Sequence, residues 1–213
     1  MRALGTMDSL VDTVTQVTQG GKSSIREFLL SEVLRFVEQA RACPGVRRIA
    51  LVGSLARDKN DPKDADVLVT VDDDADLTPL ATAGRRLKGR AQSRNKGADI
   101  FLVDPRGNYI GRTCHWRECR PGIRVACDAQ HCGRRAYLHD DLATVTLAAA
   151  LIKAPPVELW PKVVRHAELP NDVETKLVQP IETRHAHNEA HGAQPSDTAD
   201  RFEAGFRPLL RGL

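Results

Sequence analysis

The sequence predicts an α+β fold in which a small mixed β-sheet is flanked by helices. Apolar residues recur at helical spacing over 25–40, and three short apolar runs follow at 48–52, 64–71 and 98–103. Between the second and third runs, residues 77–92 again have helical spacing, with a basic outer face. A helix, two strands, a second helix and a third strand are therefore expected in that order.

The first helix has both a start and a stop signal. Ser23 or Ser24 can cap a helix that begins near Ile25, and Pro44-Gly45 ends it. Its apolar residues recur every three to four positions, so they share one face. They are Ile25, Phe28, Leu29, Val33, Phe36, Val37 and Ala40.

The chain divides into a lead, a domain and a tail. Residues 1–22 are polar and are predicted to be a flexible lead, and 23–160 are predicted to form the domain. A Cys- and Arg-rich insert occupies 107–137. Residues 172–213 have little apolar periodicity and are predicted to be a mostly disordered tail, with a short helix at 197–210.

Two further elements are expected late in the domain. Residues 125–127, within the insert, are a candidate fourth strand, and 140–152 have the pattern of a helix. Pro155-Pro156 stops that helix.

The composition excludes several classes of protein. Of 213 residues, 41% are hydrophobic and 28% charged, which is typical of a globular protein. The apolar stretch 145–152 is far shorter than a membrane span, and Met1-Arg2-Ala3-Leu4 lacks an apolar signal core. We therefore expect a cytoplasmic protein with no membrane partner. Aromatic residues make up 4%, which disfavours a base-stacking platform.

Charge is distributed in two blocks of opposite sign. Residues 58–76 contain eight Asp and two Lys, a balance of −6, whereas residues 85–135 contain thirteen Lys or Arg and four acids, a balance of +9. Adjacent blocks of this kind suit a protein that holds metal cations and a polyanion close together. The alternative is two solvated faces of opposite sign.

A glycine-serine pair ends the first strand. Gly53 permits a tight turn and a close approach of the backbone to a ligand. The residues after Ser54, up to Arg57, could start a short helix whose free N–H groups would face a phosphate. Arg57 could steady phosphate charge, or it could be a surface residue.

Acidic residues begin the next two strands. Asp64 and Asp66 are two positions apart, so both side chains point to one face of the strand. Paired carboxylates repel each other unless a cation lies between them, and oxygen ligands suit Mg²⁺. Asp99 begins the third strand and would join them if that strand lies beside the second. Asp104, at the other end of the third strand, is its rival.

Together these residues resemble the polymerase-beta-like nucleotidyltransferase superfamily, especially its small bacterial nucleotidyltransferase-domain proteins. The resemblance covers roughly residues 25–104. Gly53-Ser54 matches the family's Gly-Ser signature, Asp64 and Asp66 match its paired acids, and Asp99 matches its third acid. The chain departs from the pattern at Asp58, where many members have Gly, and at Lys63, where Ser is common. The intervening loop is also about one residue short.

The resemblance implies an enzyme that moves a nucleoside monophosphate from an NTP to a hydroxyl acceptor and releases pyrophosphate. Asp64, Asp66 and Asp99 would be the catalytic residues and would hold Mg²⁺, as a two-metal site. Gly53, Ser54 and Arg57 would bind the nucleotide. The acceptor is open among a small molecule, an RNA end and a protein hydroxyl, and the short chain could work with a partner protein.

Four cysteines of the insert are candidate ligands for a structural Zn²⁺. Four thiolates can close a tetrahedral site, and a bound metal would stabilise a segment that lacks a strong apolar pattern. The alternative is that one or two of them are small buried hydrophobic residues. The four are Cys114, Cys119, Cys127 and Cys132.

The alternative to an enzyme is a non-catalytic nucleic-acid-binding module with a zinc-stapled basic insert. Six arginines of the insert, with Tyr109 and Trp116 nearby, could grip RNA through charge and limited stacking. Against this, all three acids are present, whereas a degenerate core would be expected to have lost one. The arginines are Arg112, Arg117, Arg120, Arg124, Arg134 and Arg135.

Overall fold

The computed structural model describes residues 24–117, 135–139 and 141–192. Within these ranges the chain folds as α+β, with one seven-stranded mixed sheet of order β5-β4-β3-β2-β1-β6-β7. Strands β2 and β3 run parallel, and the other neighbouring strands run antiparallel. The strands are β1 Val46–Val52, β2 Asp64–Val71, β3 Gly97–Val103, β4 Tyr109–Thr113, β5 Leu138–His139, β6 Val157–Trp160 and β7 Val164–Arg165.

Helices pack on both faces of this sheet. Helix α1 begins where the sequence predicts: the Ser24 side chain accepts from the Glu27 N–H, and the Glu27 carboxylate accepts from the Ser24 N–H. The helices are α1 Ile25–Ala40, α2 Thr78–Gln92, α3 Ala149–Lys153, α4 Asn171–Val173 and α5 Gln179–Gly192, with a π-helical turn, Glu174–Val178, between α4 and α5.

The larger hydrophobic core lies between the sheet and helices α1 and α2. Alternate residues of the strands, such as Val67 of β2 and Ile100 of β3, point into it. The residues between them point to the opposite face, where Leu68 and Val103 pack against Ile152 of α3. Asp66 and Asp99 share this second face. The alternation therefore separates the apolar support of the sheet from its acidic residues.

The predicted tail is ordered and helical up to Gly192, which corrects the prediction of disorder from residue 172. Four apolar residues at helical spacing, Val173, Leu177, Val178 and Ile181, are buried in the larger core. Their spacing is local and polar residues surround them, so the pattern was too weak to outweigh the polar composition. The core also continues beyond residue 160. The lead and the predicted helix at 197–210 lie outside the described residues.

Other elements differ from the prediction in extent. The helix expected over 140–152 is confined to Ala149–Lys153; residues 142–144 form a turn, and residues 145–148 have no regular secondary structure. Strands β4, β5, β6 and β7 are not among the elements that the sequence predicts, because each is short and lacks a clear alternating pattern. The candidate strand at 125–127 lies outside the described residues. No helix in the described ranges is long and apolar enough to cross a membrane.

Candidate active site

The turn after β1 places backbone directly against a carboxylate. Val52 pairs with Asp66 across β1 and β2, so Gly53 follows at the edge where β2 begins. Gly53 has φ +73°, and a Cβ atom there would lie 2.1 Å from Oδ2 of Asp66. Only glycine fits this conformation and this distance without strain. The sequence-predicted Gly53 and Asp66 are therefore in contact.

All three predicted acids lie at this same edge. Asp64 and Asp66 are two residues apart on β2, and parallel pairing places Asp99 of β3 level with Asp66. A Cβ atom at Gly97 would lie 2.1 Å from Oδ1 of Asp64, so a second glycine gives a carboxylate room. Asp104 is elsewhere: it accepts hydrogen bonds from Asn108 and Arg106 in the turn at the far end of β3.

The grouping of acids changes the proton affinity of the central one. Burial, followed by the charges of Asp64 and Asp99, raises the pKa of Asp66 to about 7. The charge of Arg112 acts in the opposite direction. A carboxylate in this position gains from a bound cation, because a cation offsets both the desolvation and the repulsion.

Two positively charged side chains lie beside Asp99, the third acid. Nη1 of Arg112 lies 3.1 Å from Oδ1 of Asp99, and Nζ of Lys88 lies 3.9 Å from the same oxygen. Arg112 extends from β4, which pairs with β3, and Lys88 extends from α2. The sequence offers Arg112 as one of six arginines that could grip RNA, whereas the fold places it inside the acidic cluster.

A fourth acid, Asp141, holds Arg112 in place. Asp141 is 4% exposed, and it accepts from Nε of Arg112 and from the Tyr109 hydroxyl, each at 2.6 Å. Burial and then this hydrogen bond raise the pKa of Tyr109, so its hydroxyl stays a donor. Sequence reasoning missed Asp141, since no motif marks it and 42 positions separate it from Asp99.

The loop after Ser54 is held by a buried arginine rather than by a helix. Residues 53–56 form a turn, which corrects the expectation of a short helix beginning here. Arg26 of α1 donates to the carbonyl oxygens of three loop residues and to both carboxylate oxygens of Asp172. The three carbonyls belong to Leu55, Arg57 and Lys59, at 3.2, 2.9 and 2.7 Å.

A cleft of about 1140 Å³ opens beside this loop. Ala56, Arg57 and Asn60 line one side, and Glu168 and Asn171 line another. The exposed Arg57 side chain therefore faces a space large enough for a small molecule.

The acids suit a hard divalent cation, although their present arrangement is not a complete three-acid site. Among the described residues, no group of three or more His, Cys, Asp or Glu side chains is arranged to hold a metal ion. The ion pair between Asp99 and Arg112 is consistent with this finding. Asp64 and Asp66 supply only oxygen ligands, which is the donor chemistry that Mg²⁺ prefers. We take this pair as the part of the site that fits the metal.

The insert is only partly described. Cys114 is buried, whereas Cys119, Cys127 and Cys132 lie outside the described residues. Of the six insert arginines, Arg112 and Arg135 bind protein groups; Arg135 donates to the carbonyl oxygens of Asp72 and Ala75. The zinc site and the basic RNA surface remain predictions.

A family model matches residues 6–120 of this chain, which is more than half of its length. The chain belongs to the DUF6932 family. This is described as a family of unknown function. No curated protein and no solved structure matches the chain. The matched part of this DUF6932 protein contains Gly53, all three acids and Arg112, whereas Asp141 lies beyond it.

The contact between Gly53 and Asp66 predicts a strong effect of a single methyl group in this DUF6932 protein. Gly53→Ala should lower the free energy of unfolding by about 1–3 kcal/mol, from the left-handed backbone and the displaced carboxylate. Urea unfolding monitored by circular dichroism measures this change.

The matched control is Gly89→Ala, because an added Cβ at Gly89 in helix α2 meets nothing within 4 Å. That variant should be more stable than wild type by about 0.5–1 kcal/mol. Equal effects of the two substitutions would contradict a close approach at Gly53.

Proposed function

We propose that this DUF6932 protein is a Mg²⁺-dependent nucleotidyltransferase. The observation that carries the proposal is the meeting of Gly53, Asp66 and Asp99 at one sheet edge, with Asp64 alongside. This combination supplies a glycine turn for a phosphate, a carboxylate pair for the metal and a third acid within reach. The polymerase-beta-like resemblance was based on the order of the motifs in the sequence, and their proximity in space is additional support for it.

Each residue has a defined part in the proposed reaction. Bound Mg²⁺ would neutralise charge on the triphosphate. Asp64 and Asp66 would bind the metal, and the backbone and hydroxyl of Gly53-Ser54 would contact the β- and γ-phosphates. Asp99 takes the proton of the acceptor hydroxyl. The acceptor oxygen bonds to the α-phosphorus, the bond from that phosphorus to the bridging oxygen breaks, and pyrophosphate leaves.

Transfer of label from each α-³²P-labelled NTP tests the proposal. Wild type is incubated with Mg²⁺ and cell extract as the source of acceptor and of any partner protein, and protein, RNA and small molecules are separated. We expect label in one of these fractions. Asp64→Asn should reduce it at least about 100-fold, since even groups that only orient a metal ligand are worth 10- to 100-fold.

The matched control is Asp74→Asn, an exposed acid in the loop after β2. It should transfer label at the wild-type rate. Undiminished transfer by Asp64→Asn would refute the metal assignment. Absence of transfer with every nucleotide, together with strongly salt-dependent RNA binding, would instead favour the non-catalytic nucleic-acid-binding module.

A further inference from the structure

The side of the site opposite Asp64 already contains a positive charge. Arg112 contacts Asp99 at 3.1 Å through one nitrogen and Asp141 at 2.6 Å through another. Its guanidinium therefore links Asp99, which is 30% exposed, to Asp141, which is almost fully buried. Such a two-sided contact fixes the position of an arginine, because its planar donors point in set directions.

The anchoring acid is itself held on its other oxygen. Tyr109 donates to Oδ1 of Asp141, while Arg112 donates to Oδ2. Tyr109 and Arg112 both lie on β4, which pairs with β3 beside Asp99. A buried carboxylate with one charged and one neutral donor is well satisfied, and moving Arg112 away would leave it without its cation. Arg112 is thus a resident charge of the site.

We propose that Arg112 takes the place of the second metal, so that the site binds one divalent cation, at Asp64 and Asp66. This inference rests on the proposed function, for which the resemblance implies two metals. Asp99 has its Oδ1 atom committed to Arg112, with Lys88 at 3.9 Å. A further dication at Asp99 would be repelled by both charges, since the repulsion between like charges at such distances is substantial.

The arrangement also gives Arg112 a chemical role. In a two-metal site the second ion stabilises negative charge on the attacking oxygen. The guanidinium lies beside Asp99, the group that takes the proton from the acceptor hydroxyl. Arg112 can therefore stabilise the developing oxyanion through charge and hydrogen bonds, as preorganised cations do in phosphoryl transfer. Asp141 is a positioning residue, because it acts only through Arg112.

The number of Mn²⁺ ions bound per chain tests this inference without any substrate. Mn²⁺ alone is titrated into the full-length protein, and bound metal is counted by electron paramagnetic resonance. Wild type should bind one ion. The double variant Arg112→Met/Asp141→Asn should bind two, with spectral coupling between neighbouring ions. It removes both charges of the Arg112–Asp141 ion pair together, and Tyr109 can still donate to the amide oxygen of the substituted side chain, so the fold should survive.

A second variant and a control secure the result. Arg112→Gln should also bind two ions, whereas Arg112→Lys keeps the charge and should bind one. Arg47→Met removes an exposed arginine paired with Asp72 at the opposite end of β1 and should bind one ion, like wild type. Asp64→Asn should lose the single ion. Circular dichroism confirms that each variant is folded.

The outcomes separate this inference from the proposed function. Two ions in wild type, or one ion in both Arg112→Gln and the double variant, would overturn the role of Arg112 and leave the metal-dependent transferase standing. No bound Mn²⁺ in any protein would overturn both. Label transfer that depends on Mg²⁺ while wild type binds two ions would identify a two-metal enzyme.

Discussion

Replacing Asp66 by asparagine is expected to abolish transfer and, at the same time, to stabilise the folded protein at pH 8. Asp66 is the central acid of the site, in contact with Gly53 and level with Asp99. Loss of its charge removes a metal ligand, and we expect transfer to fall about 1000-fold or more, as it does when a preorganised charge contact is lost. The stability gain follows from the raised pKa.

The sign of the pH dependence is set by which state holds the proton. The pKa of Asp66 rises from 3.8 to about 7 on folding, because of burial and then of Asp64 and Asp99. Between these values the folded state keeps a proton that the unfolded state has lost, so stability falls as the pH rises. Above about pH 7 Asp66 is ionised in both the folded and the unfolded state, and the folded state then has the full free-energy cost of the buried charge.

Asparagine does not titrate, so the variant escapes this cost. We expect the stability difference between Asp66→Asn and wild type to be about 1–2 kcal/mol larger at pH 8 than at pH 5. This range is reduced from the full shift because Asp66 retains partial contact with water. Urea unfolding at both pH values measures it.

Two controls define the origin of the effect. Asp74→Asn should show no difference between pH 5 and pH 8, because Asp74 lies on the exposed loop. Adding Mg²⁺ at pH 8 should stabilise wild type and not Asp66→Asn, since a ligand stabilises only the folded state that binds it. A pH-independent effect of Asp66→Asn would refute the burial of a charged acid at this edge.

Replacing Arg26 by methionine should unfold the loop after Ser54 and lower stability by about 3 kcal/mol or more. Arg26 is 7% exposed and donates to three loop carbonyls and to Asp172. The hydrogen bond from Arg26 is the largest of several causes that lower the pKa of Asp172. Methionine fills the space and leaves five acceptor oxygens without this donor, so transfer should fall with stability.

Arg26→Lys separates charge from geometry. Lysine keeps the charge, but its single nitrogen cannot reach Asp172 and three carbonyls at once. We expect an intermediate loss of stability. Arg47→Met is the matched control, because its exposed ion pair with Asp72 should leave the free energy of unfolding nearly unchanged. If Arg26→Met and Arg47→Met unfold at the same urea concentration, the loop does not depend on Arg26.

Much of the central fold follows from local patterns. The first helix has its capping box at Ser24 and an apolar face, and β2 has apolar residues over most of its length, so both were predicted within one or two residues. Strand β4 was missed because its five residues lack an alternating pattern. The helical segment that ends at Gly192 was missed because only four apolar residues mark its buried face.

The candidate site, like the fold, was predicted from the sequence only in part. The spacing of Asp64 and Asp66 predicts that both side chains share one face of β2. The contact between Gly53 and Asp66 depends on the pairing of Val52 with Asp66 across β1 and β2. Asp99 is two positions into β3, and its place beside Asp66 depends on parallel pairing of β3 with β2. Asp99 and Asp104 lie at opposite ends of β3, and only Asp99 lies beside the acid pair of β2.

The sequence by itself determined the first helix, the strands at the centre of the sheet, the glycine turn and the acid pair, because each depends on short-range periodicity or on steric limits of one residue. Only the tertiary structure decided that Arg112 bridges Asp99 and Asp141, and that Arg26 reaches Asp172, 146 positions away. Those ion pairs depend on strand order and helix packing. The sequence around an arginine does not indicate which distant carboxylate it will contact in the folded protein.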